Sequence, residues 1–328
     1  MSQTIRIGIC GYGNLGRGVE RSIKQQTDMS LVAIFSRRGP AGVKPLDPST
    51  KVEYLDQMVN YQSEIDVMIL CGGSATDLPE QTPMVAEYFN TIDSFDTHAR
   101  IPAHFAAVDQ VAQQHEHISI ISVGWDPGLF SLNRVLAETV LPVGQTYTFW
   151  GKGLSQGHSD AIRRIEGVKN AVQYTIPQAK ALESVRQGEQ PVLSTGDKHT
   201  RECYVVLEEG ADGKMIEQQI KDMPDYFADY QTTVHFISEA VLEVDHATMP
   251  HGGVVLRSGH TGEGTQQNYE FGLTLESNPE FTGSVLVAYA RAAYRMSNRK
   301  EKGAKTIFDV TLSDLSTKSP EDLRRDYL

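Results

Sequence analysis

Short apolar runs alternate with segments of helical spacing through the first 125 residues. The runs predict buried strands, at residues 5–10, 29–35, 67–71 and 118–123. The segments between them predict helices, one from Leu15 onward and two more at residues 83–90 and 102–114. Strands that alternate with helices in this order predict an α/β fold with a doubly wound parallel sheet of the Rossmann type.

After residue 126 the pattern changes to one-sided segments. A helix is predicted at residues 129–140, and strand-like segments follow at residues 146–150, 201–208, 232–237 and 268–276. In the last segment Phe271 and Leu273 share one face while Glu270 and Thr274 share the other. Such alternation is typical of a mixed or antiparallel sheet that is covered on one face.

The loop after the first apolar run carries the spacing Gly-x-Gly-x-x-Gly. It stands between a predicted strand and a predicted helix, which is the context that a dinucleotide-binding loop requires. We expect Gly11 to permit the tight turn, Gly13 to let the backbone approach a pyrophosphate, and Gly16 to let helix and strand pack closely. The cofactor contacts predicted here are Gly11, Tyr12, Gly13, Asn14 and Leu15.

The end of the second predicted strand indicates which dinucleotide binds. An NAD site places a carboxylate there for the ribose 2′-hydroxyl, whereas this chain has Ser36, Arg37 and Arg38. Two guanidinium groups and a hydroxyl suit a 2′-phosphate, so we predict NADP as the cofactor. A structural turn with a solvated arginine pair is the alternative.

Further loops are expected at the same edge of the sheet, because ligands of such sheets bind outside the carboxyl ends of the strands. One of these loops supplies the next predicted cofactor contacts, which are Cys71, Gly72, Gly73, Ser74, Ala75 and Thr76. Asp96 and the run from Gly124 to Gly128 follow later strands, and Pro127 in that run is a further predicted cofactor contact.

These patterns predict three parts of the chain. Residues 1–125 form an NADP-binding Rossmann domain, and residues 126–280 form an α+β substrate-binding and oligomerisation domain. The segment 281–328 begins with an Ala-rich helix, and we expect it to return to the first domain. Ser319 as N-cap and Pro320 in the first turn predict a last helix.

Composition and charge disfavour nucleic-acid-binding, membrane-bound and metal-binding proteins. The chain has 328 residues, for which two domains are the default. Its 30 basic and 42 acidic residues give a net charge of −12, which disfavours nucleic acid and anionic membranes as partners. The three cysteines lack metal-ligand spacing, so we expect reduced thiols, no metal site and a cytoplasmic location. Neither a signal peptide nor a membrane-spanning run is recognisable.

Two carboxylates near the predicted crevice indicate the kind of substrate. Asp96 and Asp126 each come just past a strand, where they can hold an ammonium group and take the proton that an amine loses on becoming an iminium. Either residue could instead be an N-cap or turn residue, and the residues alone leave this open. No cysteine and histidine cluster suggests a catalytic zinc.

Longer motifs resemble the meso-diaminopimelate dehydrogenase family over nearly the whole chain. They are GYGNLGR (11–17), IFSRR (34–38), GWDPG (124–128), FWG (149–151), GLSQGHSDA (153–161), MPDYF (223–227) and MPHGG (249–253). The resemblance implies NADP-dependent, reversible oxidative deamination at the D-centre of meso-2,6-diaminopimelate. The implied products are L-2-amino-6-oxopimelate, ammonia and NADPH, on a route to lysine and cell-wall precursors.

The resemblance also implies which residues hold the reacting end of the substrate. It places Asp96, Trp125 and Asp126 beside the nicotinamide, for ammonium binding and proton transfer, and leaves open which aspartate is the base. The aliphatic middle of the substrate is implied to lie along Trp150, Gln156 and Gly157. For His158 and Asp160 we expect positioning and helix-capping roles, because their i, i+2 spacing faces apart on a helix.

At the distal L-end the resemblance implies a second polar cluster. Arg201 is implied to grip the carboxylate, with Thr175, His251 and Asn278 beside it. Without the resemblance, the residues alone favour an ordinary surface charge at a strand start for Arg201 and a loop histidine for His251. Because the chain keeps the family's residues at these positions, we expect narrow specificity.

Two other functions compete with this interpretation. One is another NADP-dependent D-amino-acid dehydrogenase or lysine-pathway reductase of similar architecture, and a substrate screen separates it. The other is a non-catalytic NADP-sensing module, which explains the glycine loop but not Asp96, Asp126 and Arg201. As partners we expect the diamino acid, ammonia and further copies of the same chain, in a homo-oligomer of at least two.

Overall fold

The structure is a computed structural model that describes residues 4–328 and separates the chain into two compact units. The first unit holds the chain up to Leu132 together with Pro279–Leu328, and the second unit holds Asn133–Asn278. Residues 1–3, where the predicted first domain begins, lie outside the described residues.

Strands and helices alternate along the first part of the chain, as the apolar pattern predicts. The strands are β1 (Ile5–Cys10), β2 (Met29–Ser36), β3 (Lys51–Tyr54), β4 (Val67–Leu70), β5 (Asn90–Ile92), β6 (Ile118–Ile120), β7 (Gly144–Trp150), β8 (Gly153–Leu154), β9 (Val168–Pro177), β10 (His199–Leu207), β11 (Gln231–Phe236), β12 (His251–His260), β13 (Gln266–Leu275) and β14 (Gly303–Lys305). The α-helices are α1 (Asn14–Lys24), α2 (Gly39–Gly42), α3 (Leu78–Ala86), α4 (Ile101–Gln114), α5 (Leu129–Val140), α6 (Gln156–Arg163), α7 (Ala179–Arg186), α8 (Thr195–Lys198), α9 (Gly213–Lys221), α10 (Glu239–Asp245), α11 (Asn278–Asn298), α12 (Leu312–Leu315) and α13 (Pro320–Tyr327). Short 3-10 helices lie at Leu55–Tyr61, His98–Arg100 and Ile307–Asp309. Within residues 4–328, no helix is both long and apolar enough to cross a membrane.

The sheet of the first unit is parallel throughout, in the order β14-β6-β5-β4-β1-β2-β3. Ile7 and Ile9 of β1 lie in one apolar cluster and Cys10 in another, so both faces of the sheet are buried. Burial on both faces explains the unbroken apolar runs in the sequence. The strand order reverses between β1 and β4, and the crevice beyond these two strands is where such sheets bind ligands. The predicted Rossmann-type sheet is confirmed.

Helix α11 completes the core of the first unit. Its Leu286 and Tyr289 are buried in the same apolar cluster as one face of β1. A Cβ built on Gly18 of α1 would lie 2.5 Å from the carbonyl oxygen of Pro279, and one on Gly283 would lie 2.7 Å from the carbonyl carbon of Gly18. The two glycines therefore allow the backbones of α1 and α11 to touch.

The second unit contains two separate sheets. In the sheet β11-β10-β9-β8 the pair β10 and β11 is parallel and the other pairs are antiparallel, whereas β13-β12-β7 is antiparallel throughout. Along β13, Tyr269, Phe271 and Leu273 are half-buried, while Glu270 and Thr274 are exposed. The mixed or antiparallel sheet that the alternation predicts is therefore confirmed.

The predicted helix at residues 83–90 is wrong at both ends. Helix α3 begins at Leu78, with Pro79 in its first turn, and Pro83 lies inside it. A proline suits the first turn because its missing N–H needs no partner there, so Pro79 marks the start of the helix. Pro83 removes one backbone hydrogen bond inside the helix. Asn90 opens β5 instead of ending the helix.

Candidate functional site

The loop between β1 and α1 has the geometry of a phosphate cradle. Gly11 has a φ of +92°, and a Cβ there would lie 3.0 Å from the carbonyl carbon of Cys71. A Cβ on Gly16 would lie 2.5 Å from the carbonyl oxygen of Gly11, so helix and loop pack without room for a side chain. A Cβ on Gly13 would meet nothing within 4 Å. Gly13 thus keeps space open before the N-terminus of α1, where backbone N–H groups favour an anion.

A fully buried carboxylate fixes this loop from behind. Glu20 of α1 has no exposed surface, and it accepts hydrogen bonds from the Tyr12 hydroxyl and from the backbone N–H groups of Leu46 (3.0 Å) and Asp47 (2.9 Å). Burial, reinforced by the bond to Glu20, raises the pKa of Tyr12 to about 12. The tyrosine therefore keeps its proton, and the network joins the glycine loop to the segment that follows β2.

The two predicted arginines bind different partners. Arg38 donates a hydrogen bond from its side chain to the carbonyl oxygen of Tyr12, and its backbone N–H donates to Ser36 Oγ at 3.2 Å. Arg37 forms an ion pair of 3.1 Å with Asp77, in the loop after β4, and its side chain is 73% exposed. Ser36, Arg37 and Arg38 at the end of β2 all line one cleft with the glycine loop. Because exposed ion pairs are weak, Arg37 remains available to a ligand.

A neighbouring cavity extends the positive charge beyond this cleft. Arg17, Arg38 and Lys44 line it together with Tyr12, and no acidic side chain among the described residues is part of its lining. Arg38 borders both spaces. Sequence reasoning missed Arg17 and Lys44, because one lies on a helix and the other lies past the strand end where a phosphate ligand is expected.

The loop after β4 lies beside the glycine loop. Asp77 accepts a hydrogen bond from the Gly73 N–H at 2.8 Å, which folds the loop onto the start of α3. A Cβ on Gly72 would lie 2.7 Å from Gln81 Oε1, a buried acceptor with no hydrogen-bond partner within residues 4–328. Cys71, Gly72 and Gly73 line the same cleft as the glycine loop. The other predicted contacts lie in the turns and helix starts next to these residues: Asn14, Leu15, Ser74, Ala75 and Thr76.

The two predicted carboxylates follow neighbouring strands, since β5 pairs with β6. Asp96 is exposed beyond β5, and its backbone N–H donates to Ser74 Oγ at 2.9 Å. Asp126 is half-buried in the turn before α5. In that turn Gly128 has a φ of +135°, and a Cβ on it would lie 1.7 Å from the carbonyl oxygen of Gly124. Only glycine can close this turn, which also carries Pro127.

Trp125 is held rigidly in the same turn. Its side chain is 7% exposed, and its ring meets Phe130 edge-on at 5.2 Å between centroids. The Phe130 N–H donates to the Trp125 carbonyl oxygen at 2.8 Å, so the turn runs directly into α5. The structure therefore places Trp125 both in the core and next to Asp126.

In the second unit Arg201 is a buried cation. It is 6% exposed, its guanidinium carbon lies 4.0 Å from the centroid of the Tyr230 ring, and its Nη1 donates to Thr175 Oγ1. Its Nε has no hydrogen-bond partner, and within the described chain no carboxylate pairs with it. Burial lowers the pKa of Arg201. Because an unpaired buried guanidinium is costly, this arrangement is suited to an anion that supplies the missing charge.

Other buried polar groups without partners surround Arg201. In the sheet register Arg201 stands opposite Thr175 of β9 and Thr232 of β11. Among the residues that the structure describes, the buried hydroxyl of Thr232 finds no hydrogen-bond partner, and neither do the two amide atoms of Gln173 farther along β9. Such groups are rare in folded proteins, and here they lie on neighbouring positions of one sheet. Their concentration indicates a polar binding site rather than a structural core.

Trp150 and His251 both lie against the sheet that contains Arg201, next to β10 and β8 respectively. The Trp150 N–H donates to His199 Nε2 at 2.8 Å, and the two rings stack 5.3 Å apart. Burial, with Arg201 second, lowers the pKa of His199 to about 4, so the imidazole is neutral and can accept this bond. The ring of His251 covers Gly153, where a Cβ would lie 2.4 Å from the imidazole Cγ.

Gln156 and Asn278 both contact Met249, two residues before His251. Gln156 Nε2 donates to the sulfur of Met249 at 3.2 Å, and the Asn278 N–H donates to the Met249 carbonyl oxygen at 2.9 Å. A Cβ on Gly157 would meet nothing within 4 Å, so this position faces open space. The structure thus brings the predicted residues of the second unit to one end of its sheets.

His158 and Asp160 bind different neighbours. The hydroxyl of Ser155 caps α6 by accepting from the His158 N–H, and it lies 2.7 Å from His158 Nδ1. Burial, with Arg201 second, lowers the pKa of His158 to about 4. Asp160 forms ion pairs with Arg163 and Arg164 on the helix surface. The side chain that caps α6 is therefore that of Ser155, and not that of His158 or Asp160 as expected from the sequence.

Sequence reasoning missed Tyr230, His199 and Thr232. None of them stands in a recognisable motif, and each reaches the site through the pairing of distant strands. Only the register of β10 with β11 could have identified Thr232, and that register is not visible in the sequence.

Comparisons with known proteins agree with the motifs. A family described as the Diaminopimelic acid dehydrogenase C-terminal domain matches residues 124–277. The Meso-diaminopimelate D-dehydrogenase of Ureibacillus thermosphaericus is 66% identical over 324 residues, which cover 99% of each chain.

Two solved structures share the fold over the full chain. The DAP dehydrogenase of C. glutamicum in complex with DAP has a TM-score of 0.92 and 45% identity, with 100% of each chain covered. An engineered D-amino acid dehydrogenase bound to NADP+ has a TM-score of 0.87 and 44% identity, with 99% of this chain and 100% of that chain covered.

Proposed function

Because the chain belongs to the meso-diaminopimelate D-dehydrogenase family, we propose that it oxidises the D-centre of meso-2,6-diaminopimelate with NADP+. The reaction consumes water and gives L-2-amino-6-oxopimelate, ammonia and NADPH, and it is reversible. The first unit carries a dinucleotide cradle and two carboxylates, and the second unit carries a buried, unpaired guanidinium. These features support an amino acid with a second charged end as the substrate.

NADP+ fits the groups of the first unit. Gly13 leaves room for a pyrophosphate at the N-terminus of α1, and Gly11 and Gly16 allow the close backbone packing that forms the loop around it. Ser36 to Arg38 can bind the 2′-phosphate, with Arg17 and Lys44 beside them. The phosphate would then compete with the Asp77 carboxylate for Arg37. Bound NADP+ supplies the hydride acceptor. The neighbouring structure that holds NADP+ supports the same cofactor here.

Asp96 and Asp126 are the proton acceptors in this proposal. One carboxylate oxygen takes a proton from the ammonium nitrogen of the D-centre, while the C–H bond of that carbon breaks and its electron pair leaves as hydride. The resulting iminium adds water at carbon and then loses ammonia, which leaves the 2-oxo acid. An ionised carboxylate can only accept hydrogen bonds, so it also binds the ammonium before the reaction. Trp125, the residue before Asp126, packs edge-on against Phe130 and anchors this turn.

The buried guanidinium of Arg201 is the observation that carries the choice of substrate. A distal carboxylate supplies the charge that Arg201 lacks and accepts from its free Nε, next to Thr175. His251 and Asn278 complete this end of the site. The aliphatic chain of the substrate then runs along Trp150, Gln156 and Gly157. A monocarboxylic D-amino acid leaves Arg201 unpaired, which explains the expected narrow specificity.

The test is NADPH formation with purified protein and meso-, L,L- and D,D-diaminopimelate. We expect the meso isomer to be oxidised at least tenfold faster than other D-amino acids, no reaction with the L,L isomer, and one ammonia released per NADPH. NAD+ in place of NADP+ should give a much lower kcat/KM. If another amino acid is oxidised faster, that amino acid and not meso-diaminopimelate is the substrate. If no amino acid is oxidised, the result favours a non-catalytic NADP-sensing module. The homo-oligomer and the cytoplasmic location stay predictions.

A further inference from the structure

A third aspartate, Asp93, lies fully buried at the end of β5, three residues before Asp96. Its Oδ1 accepts hydrogen bonds from the backbone N–H groups of Phe95 (3.0 Å) and Ser122 (2.8 Å). Its Oδ2 accepts from the hydroxyl of Thr82 at 2.9 Å and lies 2.7 Å from His104 Nε2. Because a carboxylate accepts only, His104 Nε2 carries the proton of that bond. Every partner of this carboxylate comes from a different part of the first unit.

The Asp93 carboxylate joins the ends of two neighbouring strands. Asp93 follows β5, and Ser122 follows β6. Backbone bonds on both sides of Asp93 reinforce the connection, from its N–H to Ile120 (3.1 Å) and from the Val123 N–H to its carbonyl oxygen (2.9 Å). Ser122 has a φ of +57°, in the left-handed region that is unfavourable for a residue with a side chain. The bond to Asp93 compensates that cost and fixes where the chain leaves β6.

His104 supports the carboxylate from helix α4. Its side chain is 3% exposed, and its ring stacks on that of Phe95 with centroids 4.2 Å apart. The same histidine therefore restrains Asp93 through a hydrogen bond and Phe95 through ring contact. A buried carboxylate requires all its partners, so loss of one weakens the hold on both strand ends.

The geometry points to Asp93 and His104 as a positioning pair for Asp96 and Asp126. This inference rests on the proposed function and deepens it. Asp96 comes three residues after Asp93, and Asp126 comes four residues after Ser122. The pair thus sets the separation of the two carboxylates without touching the substrate. Misplacement by about 1 Å is enough to reduce a rate about 100-fold, so we expect the pair to act on kcat more than on KM, although the two aspartates also bind the ammonium group.

The test compares His104→Gln with His104→Leu. Glutamine can place a nitrogen donor where His104 Nε2 stands, whereas leucine removes the hydrogen bond and keeps the bulk. We expect kcat for meso-diaminopimelate to fall about 10- to 100-fold in His104→Leu and to stay within about threefold of the parent in His104→Gln. In both variants KM for the substrate and for NADP+ should change by less than about threefold. Asp93→Asn, which keeps one acceptor for the two backbone N–H groups, should resemble His104→Leu.

His117→Leu is the matched control. This histidine is half-buried on the same sheet, bonds the Ala86 carbonyl oxygen at 2.8 Å, and lies at the opposite end of β6. We expect His117→Leu to lower Tm without lowering kcat. Equal kcat losses in His104→Leu and His117→Leu, or an unchanged kcat in His104→Leu, would overturn the inference.

Backbone hydrogen exchange provides a readout that does not depend on activity. His104→Leu should speed exchange at residues 93–96 and 121–126, and His117→Leu should not. If the parent protein is inactive but exchange is still faster in His104→Leu than in His117→Leu, the proposed function is disproved and the positioning of the two loops is still supported. An active parent in which exchange at the two loops is the same in both variants would disprove the positioning pair alone.

Discussion

Two buried charged side chains illustrate opposite uses of burial at the scale of the residue. Glu20 accepts three hydrogen bonds, from one hydroxyl and two backbone N–H groups, and it fixes a loop. Arg201 is also buried, at 6% exposure, but its Nε has no hydrogen-bond partner within residues 4–328. The first charge is satisfied within the chain, whereas we propose that the second is satisfied by a bound anion.

We predict that Arg201→Met removes substrate binding without harming the fold. Loss of a charged hydrogen-bonded contact costs about 2–5 kcal/mol, so KM for meso-diaminopimelate should rise about 30-fold or more while KM for NADP+ stays unchanged. The free protein should keep or raise its Tm, because an unpaired buried charge is gone. Steady-state kinetics and thermal unfolding measure both effects.

Arg186→Met is the control for this variant. Arg186 pairs with Glu270 at 2.6 Å on the surface of the same unit, with side chains 42% and 40% exposed. Its loss should leave both KM values and Tm nearly unchanged. A clear fall of Tm in Arg201→Met, accompanied by a higher KM for NADP+, would show that Arg201 is structural.

At the scale of the element, the turn from β1 to α1 separates two uses of glycine. Gly16 lies where helix and loop touch, and Gly13 lies where the loop faces open space. A side chain at the first position conflicts with the fold. At the second position, where φ is −98°, a side chain conflicts only with a ligand.

We therefore predict different results for Gly16→Ala and Gly13→Ala. Gly16→Ala should lower the free energy of unfolding by about 1–3 kcal/mol, because its Cβ would lie 2.5 Å from the Gly11 carbonyl oxygen. Gly13→Ala should leave Tm unchanged or slightly higher, yet raise KM for NADP+ at least about tenfold, because the methyl group occupies the approach of the pyrophosphate. Similar losses of Tm in both variants, with normal NADP+ binding in Gly13→Ala, would refute this division.

At the scale of the whole molecule, the cofactor unit is built from both ends of the chain. Helix α11 contributes ten buried residues, among them Leu286, Tyr289 and Met296, after the chain has formed the whole second unit. Arg291 of α11 is buried and bonds Asp28 at 2.6 Å. The Rossmann sheet is therefore incomplete until the C-terminal segment has folded onto it.

A chain that ends at residue 278 should fail to form a stable cofactor unit. Each large apolar side chain that loses its burial lowers the free energy of unfolding by about 1.5–3 kcal/mol, and α11 holds several such side chains. Their sum approaches the whole free energy of unfolding of a domain, which is about 5–15 kcal/mol. A chain that ends at residue 318 lacks only α13, which has no buried residue, and should keep its Tm within a few degrees. Circular dichroism and NADP+ binding compare the two. NADP+ binding by the shorter chain would contradict this account.

Local sequence signals predicted the first unit better than the second for a physical reason. Strands β1, β2 and β4 lie in a sheet that is buried on both faces, so they read as unbroken apolar runs separated by helical spacing. In the second unit β10 and β13 show alternating burial and were predicted, whereas β9 and β12 were not predicted. Their polar residues, such as Thr175 and Arg257, are buried, so the alternation that marks a half-exposed strand is lost.

The sequence by itself determined the alternation of strands and helices in the first 125 residues, the glycine cradle and the basic end of β2, because each depends on residues close together in the chain. The residue types that a diamino acid requires were also visible, through the resemblance of whole motifs. Only the tertiary structure decided that Arg201 is unpaired, that Tyr230 covers it, and that Asp93 and His104 hold two strand ends together. These properties arise from strand register and burial, which bring distant residues into contact, and no local pattern records them.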